Sequence, residues 1–452
     1  MINAQKPSSL SRYWLLLGVG ALAIAGLFSL VLVIARTPSL SELNFFDALF
    51  HKSLVVHVDL SVLIWFLCIA AMMWSLLCSG TKQIWPYLEE AALLCTGLGT
   101  LAMAVSPLDP NSQALMSNYI PVLASSVFFT GLALLLCGML LMLTRMLTSK
   151  RSAFFNPAMQ FGVWSAGIIA AIAALEFFWS FSQVPTRIGI NPIQGQAYYD
   201  MLFWGGGHTL QFVHTQILLV AWVMLMQALK PDFRLPDMLL QGLFAIGLMA
   251  ACVTVLPYLF TDATTQEFRD FFTHIMIVMG GFVPVLLAIV IVVRGLWRSP
   301  KFGKNALHSS LIMSIALFLY GGFLGSMIVG QNVVIPAHYH GSIVGVTLAF
   351  MGVAYALLPQ FGYRDVSAWK MAFWQPIIYG SGQVLHISGL AWSGGYGVLR
   401  KTPGGLDNVS ASVKAAMGLM GLGGVIAIIG GFLFVIVVAR SVYGCQRAVA
   451  AL

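Results

Sequence analysis

Residues 333–363 read VVIPAHYHGSIVGVTLAFMGVAYALLPQFGY, an apolar run that carries two histidines, His338 and His340, at its start. The run is long enough to cross the roughly 30 Å hydrocarbon core of a bilayer as one helix. At roughly 100° of turn per residue the two side chains point about 200° apart, so a single helix can offer an imidazole to each of two groups on opposite sides. Ionisable residues inside a membrane span are costly and mark function, and neutral imidazole is a common axial ligand of haem iron. The geometry suits two haems. A lone histidine in such a place reads as a side chain satisfied by a neighbouring helix; a His-x-His pair with further intramembrane histidines reads as a ligand set.

Composition extends the membrane reading to the whole chain. It is 59% hydrophobic and 8% charged, with a mean hydropathy of +0.89, far from a soluble domain. Twelve apolar spans are expected at about 13–35, 54–78, 88–106, 119–146, 158–181, 201–228, 237–259, 270–294, 306–329, 334–360, 371–395 and 413–440, with no linker between them long enough to separate domains. Residues 1–452 therefore read as a single membrane domain, an all-α bundle of twelve transmembrane helices. The first span has no small-residue cleavage site and is too long for a signal-peptide core, so it reads as retained. With this threading, 16 of the 23 basic residues fall on the side that holds both termini, which the positive-inside rule makes cytoplasmic. Basic loops facing an anionic leaflet account for the net charge of +8 without any nucleic-acid partner.

Orientation gives each histidine a depth. His57, His208, His274, His338, His340 and His386 all fall in the outer layer, although they come from five different spans scattered over the sequence. His214 lies six residues beyond His208, roughly 240° round the same helix, and does not share its face. The six cysteines are scattered with no CxxC and no CxxCH, which argues against a zinc or iron–sulfur site and against covalently attached haem. No glycine-rich phosphate loop is present, and glycine runs such as GLGGVIAIIGG fit close helix packing.

Twelve spans with a histidine near the outer end of the second, one in the sixth and His-x-His opening the tenth resemble the catalytic subunit I of the haem–copper oxidase superfamily, over about residues 13–440. HVDLSVLIWFL resembles the second-helix site, so the resemblance makes His57 one axial ligand of a low-spin haem. PAHYHG resembles the tenth-helix site, which makes His340 the other low-spin ligand and His338 the ligand of a high-spin haem. WGGGHTLQF implies His208 as a ligand of a non-haem metal, copper or iron, and LRKTPG implies that Arg400 and Lys401 hold haem propionates. GQVLHISGLAW puts His386 near the propionate layer, and NYIPVL at Asn118–Leu123 resembles divergent bacterial members related to C-type oxidases and nitric oxide reductases. The resemblance implies a multi-pass protein of the bacterial inner membrane. Its electrons would come from a partner subunit with a cupredoxin or cytochrome domain, or from a quinol.

The departures concern the non-haem metal. Where most members end the seventh helix with two histidines, this chain reads VTVLPYLFTD, with Pro257 and Tyr258 in their place. A copper ion wants several imidazoles, and one holds it weakly. The tyrosine expected one turn after His208 is Phe212, and the glutamate of nitric oxide reductases is missing there too. Tyr258, Asp262, His274 and Glu176 share the outer layer as replacement donors, His274 being expected as a metal ligand. Glu176, the only carboxylate deep in the fifth span, is expected to bind metal or deliver protons, and Tyr258 to act beside it. Inner-side proton delivery looks poorly supplied, since Glu89 and Glu90 at the start of the third span read as interfacial.

Three readings follow. The leading one is a catalytic subunit reducing a diatomic gas at a modified binuclear centre, with nitric oxide ahead of dioxygen because copper and tyrosine are missing from their expected places. The second is a haem protein of electron transfer or gas sensing without turnover. The third is a transporter or structural subunit whose histidines bind something other than haem.

Overall fold

The structure, a computed structural model, describes residues 9–36, 44–80, 85, 87–184, 195–297, 303–329, 332–398 and 410–450. Among the described residues eleven helices are long and apolar enough to cross a membrane: α1 (Leu10–Ile34), α2 (Leu49–Leu77), α3 (Leu88–Leu108), α4 (Ser126–Leu147), α5 (Pro157–Gln183), α6 (Gln196–Leu229), α7 (Asp237–Phe260), α8 (Gln266–Leu296), α9 (Ala306–Gly325), α10 (Val334–Leu357) and α12 (Ala411–Gly444). The twelfth, α11 (Lys370–Gly394), has the length, but it carries Gln375, Tyr379, Gln383 and His386 at helical spacing, a polar stripe that lowers its hydropathy. All twelve expected spans thus correspond to helices, although the fourth begins at Ser126, residues 119–125 of its expected range lying in loop and strand instead.

The chain divides into two compact units. The first comprises residues up to Ala21, Val58–Val220 and Asp232–Val293. In it α3 and α4 approach closely: a β-carbon on Gly99 would lie 2.7 Å from the Gly131 carbonyl oxygen, a separation that only glycine permits. Between these helices β1 (Gln113–Leu115) pairs antiparallel with β2 (Val122–Ala124), Leu115 opposite Val122, and the loop of this hairpin carries Asn118 and Tyr119. The Asn118 N–H donates to Asp200 at 2.7 Å, tying the loop to the start of α6. Helix α5 starts on Asn156, whose side chain accepts from the Met159 N–H at 2.9 Å, with Pro157 in the first turn where no N–H is needed. Pro257 has no N–H to bond back up its helix, and α7 turns at Thr254–Val255 before its last five residues.

Glu89, at the start of α3, is 1% exposed. It accepts from Ser75 Oγ at 2.5 Å and pairs with Arg145 Nε at 3.8 Å, while Ser11 bonds Ser75 at 2.7 Å. Glu90 is exposed.

The second unit comprises Leu22–His57, Ala221–Pro231 and residues from Arg294 onward. Its core is built by α9, α10, α11 and α12 around Leu317, Leu324, Val344, Leu348, Ile387 and Met420. Helices α9 and α10 touch where a β-carbon on Gly341 would lie 2.5 Å from Gly321 Cα, next to His340 in sequence.

Candidate haem ligands and the His208 cluster

In the second unit four histidines share one hydrogen-bonding pattern. His57 Nδ1 donates to the Ala25 carbonyl at 2.9 Å, His338 Nδ1 to Gly321 at 2.7 Å, His340 Nδ1 to Pro336 at 2.8 Å and His386 Nδ1 to Met420 at 2.9 Å. A carbonyl oxygen can only accept, so Nδ1 carries the proton and the lone pair of each neutral ring lies on Nε2, the tautomer that binds iron. His338 turns toward α9, where Gly321 accepts its bond and Gly325 leaves room for its ring. His340 turns the other way, its ring 5.5 Å from that of His386 on α11. The opposed directions expected of a His-x-His helix are therefore realised, and the donor set fits axial ligation. Arg400 and Lys401 lie outside the described residues.

In the first unit the WGGGH segment of α6 builds a second cluster. A β-carbon on Gly205 would collide with the ring and hydroxyl of Tyr258, one on Gly206 with the ring of Phe177, and one on Gly207 with the ring of Tyr119. The three glycines make room for three aromatic rings beside His208, which is 4% exposed. Its Nδ1 donates to the Trp204 carbonyl at 2.7 Å, so Nε2 holds the lone pair, and Nε2 accepts the Tyr119 hydroxyl at 2.7 Å. The His208 ring packs 4.9 Å from Trp204 and 5.4 Å from Phe272.

Tyr258 is buried, stacked 5.2 Å from Trp179, with its hydroxyl 2.7 Å from that of Ser180. Glu176 is fully buried. Its Oε1 lies 2.7 Å from Thr254 Oγ1, which in turn receives a bond from Thr209, the neighbour of His208, at 2.9 Å. Its Oε2 has no hydrogen-bond partner among the described residues. Thr254 has one hydroxyl proton and two acceptors, Glu176 and the Ala251 carbonyl at 2.6 Å. When the carboxyl is ionised the proton goes to Glu176. When it is protonated, the acid donates to Thr254, whose own proton turns to Ala251. Both states fit the same heavy-atom positions, the condition for moving a proton without rearrangement.

His274 is not brought to His208. It is exposed, and its Nδ1 bonds the Asp270 carbonyl of its own helix at 2.6 Å. Phe272, two residues earlier and so about 200° away, takes the inward face. His214 packs edge-on to Phe66 at 4.8 Å. Among the described residues no three His, Cys, Asp or Glu side chains gather as a metal site.

A multi-helix membrane fold with four half-buried imidazoles of this tautomer suits a redox subunit of the haem-binding class. The chain belongs to the family of cytochrome c and quinol oxidase polypeptide I, whose model matches residues 9–433. It is 34% identical to an uncharacterised protein of Rickettsia prowazekii (strain Madrid E) over 98% of this chain and 97% of that protein. It is 28% identical to one of Aquifex aeolicus (strain VF5) over 78% and 85%. Among solved structures a heme-copper terminal oxidase dimer matches with a TM-score of 0.75 at 15% identity, covering 96% of this chain and 84% of that one, a likeness of fold. Family membership makes this a multi-pass membrane protein of the terminal oxidoreductase superfamily and implies haems and a binuclear metal centre. The donor set of His57, His338 and His340 fits the haems of that implication. A three-imidazole copper site does not fit, because His208 has no second imidazole beside it among the described residues and its own Nε2 is already bonded.

Proposed function

We propose that the chain is the catalytic subunit of a respiratory oxidoreductase of the bacterial inner membrane that reduces a diatomic gas, with nitric oxide ahead of dioxygen. The observation that carries the haem assignment is the shared tautomer of His57, His338 and His340, each fixed by a backbone carbonyl so that Nε2 faces outward from its bond. His57 and His340 pair across a low-spin haem, His338 holds a high-spin haem, His386 supports the His340 ring, and Arg400 and Lys401 hold propionates. When bound, the haems supply electron transfer and one open iron position for a gas. The protein positions the rings, excludes water and supplies protons. Glu176, with Thr254 and Thr209, holds and passes a proton, and Tyr258 braces that pocket through Ser180.

The preference for nitric oxide is supported by the missing imidazoles at 257–258, since four-electron cleavage of dioxygen usually draws on a copper ion at that place. Electrons come from a partner subunit with a cupredoxin or cytochrome domain, or from a quinol. Steady-state assays of the purified complex with each gas and an artificial donor test the reading: nitrous oxide formation from nitric oxide is expected to exceed oxygen consumption. Fast oxygen consumption with no nitrous oxide would reverse the order. A second reading, haem electron transfer or gas sensing without turnover, is favoured by the bonded state of His208 Nε2, and inactivity toward both gases would select it.

A further inference from the structure

We propose that His208 is not a metal ligand in this chain but the acceptor of a hydrogen-bonded couple with Tyr119, which occupies the position that the family resemblance assigns to a non-haem metal. The inference rests on the family membership and on the local geometry of one unit, and it stands whichever gas is reduced.

Both nitrogens of His208 are engaged. Nδ1 is protonated toward Trp204, and the Tyr119 hydroxyl lies on the lone pair of Nε2 at 2.7 Å. A metal on Nε2 sits about 2.0–2.1 Å away along that same direction. It would fall within bonding range of the hydroxyl oxygen and overlap it, so the tyrosine must leave before an ion can enter. Tyr119 is not placed to leave. Its loop spans a hairpin whose register is fixed on both sides, Ser117 Oγ bonds the Ile120 carbonyl at 2.5 Å, and the neighbouring Asn118 N–H is held by Asp200. The ring lies against the bare backbone of Gly207, and its centroid is 4.5 Å from that of His208.

The surroundings favour a neutral polar guest over a cation. The indole N–H of Trp204, whose ring contacts both His208 and Tyr119, is buried without an acceptor among the described residues. A donor of that kind suits a water oxygen and cannot ligate a metal. The other imidazoles of this unit are turned elsewhere, His214 onto Phe66 and His274 outward. One open imidazole holds copper only weakly, and one whose lone pair is already bonded holds it less still.

The test is metal content, so it can fail independently of turnover. Copper, zinc, manganese and iron are measured against haem in the complete purified complex for wild type, His208→Ala and Tyr119→Phe, with the haem spectrum as the check on folding. Wild type is expected to hold no stoichiometric metal beyond haem iron, and His208→Ala to leave that content unchanged. Tyr119→Phe uncovers Nε2 and is expected to retain more copper than wild type after dialysis against copper, a gain that the Tyr119→Phe/His208→Ala double variant loses. A stoichiometric non-haem metal that His208→Ala removes overturns the proposal, as does copper retention in Tyr119→Phe no greater than in wild type. Where a variant does not assemble, a density map of the wild-type complex decides: the tyrosine oxygen at hydrogen-bond distance supports the couple, and an ion on Nε2 overturns it.

Discussion

Gly325→Ala tests the role of His338 without touching the histidine itself. A β-carbon at this position would lie 2.7 Å from His338 Nδ1 and 2.8 Å from Cε1, where ordinary contacts begin at 3.4 Å. The ring must therefore yield by about 0.7 Å, since inserted volume in a packed interior is relieved only by displacement. It cannot do so and keep its 2.7 Å bond to the Gly321 carbonyl. Overpacking of this size costs about 1–3 kcal/mol and the lost hydrogen bond about 1 kcal/mol more, giving about 2–4 kcal/mol in all. The control is Gly322→Ala, where nothing lies within 4 Å of the added carbon. That change should be neutral or slightly stabilising, because alanine is the better helix former by about 1 kcal/mol. Haem-to-protein ratio, the carbon monoxide difference spectrum of the reduced complex and thermal unfolding in detergent give the readout. Gly325→Ala should weaken or shift the carbon monoxide spectrum and lower the unfolding temperature, while Gly322→Ala changes neither. Identical behaviour of the two variants would refute the assignment of His338 as an iron ligand held in place by this packing.

His57→Ala and His340→Ala should each abolish the low-spin optical signal while leaving carbon monoxide binding, and His338→Ala should do the reverse; a low-spin spectrum intact in His340→Ala would separate the pair. Glu176→Gln keeps an oxygen for Thr254 but cannot release a proton, so turnover should fall by about a hundred-fold with haem content unchanged, and full activity would remove Glu176 from the proton path. Arg145→Met leaves Glu89 buried without its cation and should destabilise the protein by about 3–5 kcal/mol, read as a lowered unfolding temperature. The Glu89→Leu/Arg145→Met pair should recover most of that loss, and additivity of the two single changes would show that the ion pair is not coupled.

Hydropathy locates each of the twelve described long helices because the bilayer imposes one length and one polarity on each span, and twelve such constraints leave little freedom. Helix α11 shows the margin of that reading. Its stripe of Gln375, Tyr379, Gln383 and His386 makes it the least membrane-like of the twelve, and its fully buried Gln375 is satisfied by the Tyr355 hydroxyl at 2.9 Å and the Gly430 carbonyl at 3.1 Å. A polar residue met by neighbouring helices crosses a membrane as well as an apolar one, but only the folded structure supplies those neighbours. The partners of Glu89 are illegible for the same reason: Ser75 and Arg145 come from α2 and α4, and nothing at the start of α3 announces them.

For the site, sequence carried depth and not azimuth. The opposed directions of His338 and His340 are legible because both lie on one helix, where two residues fix the angle between them. His208 and His274 share a depth but come from different helices, and the rotation of α8 decides the outcome: it turns Phe272 inward onto His208 and His274 outward. Tyr119 lay out of reach of any local pattern, 89 residues from His208 and delivered by a hairpin rather than a helix. The one trace it leaves near the histidine is Gly207, the last of three consecutive glycines, each of which is bare because an aromatic ring fills its β-carbon position. Three glycines inside a membrane helix are a cost unless something occupies the space they leave. Read as a request for three rings, WGGGH already implies a crowded, aromatic site with room for a hydrogen bond to His208 and little room for the further imidazoles a copper ion would need.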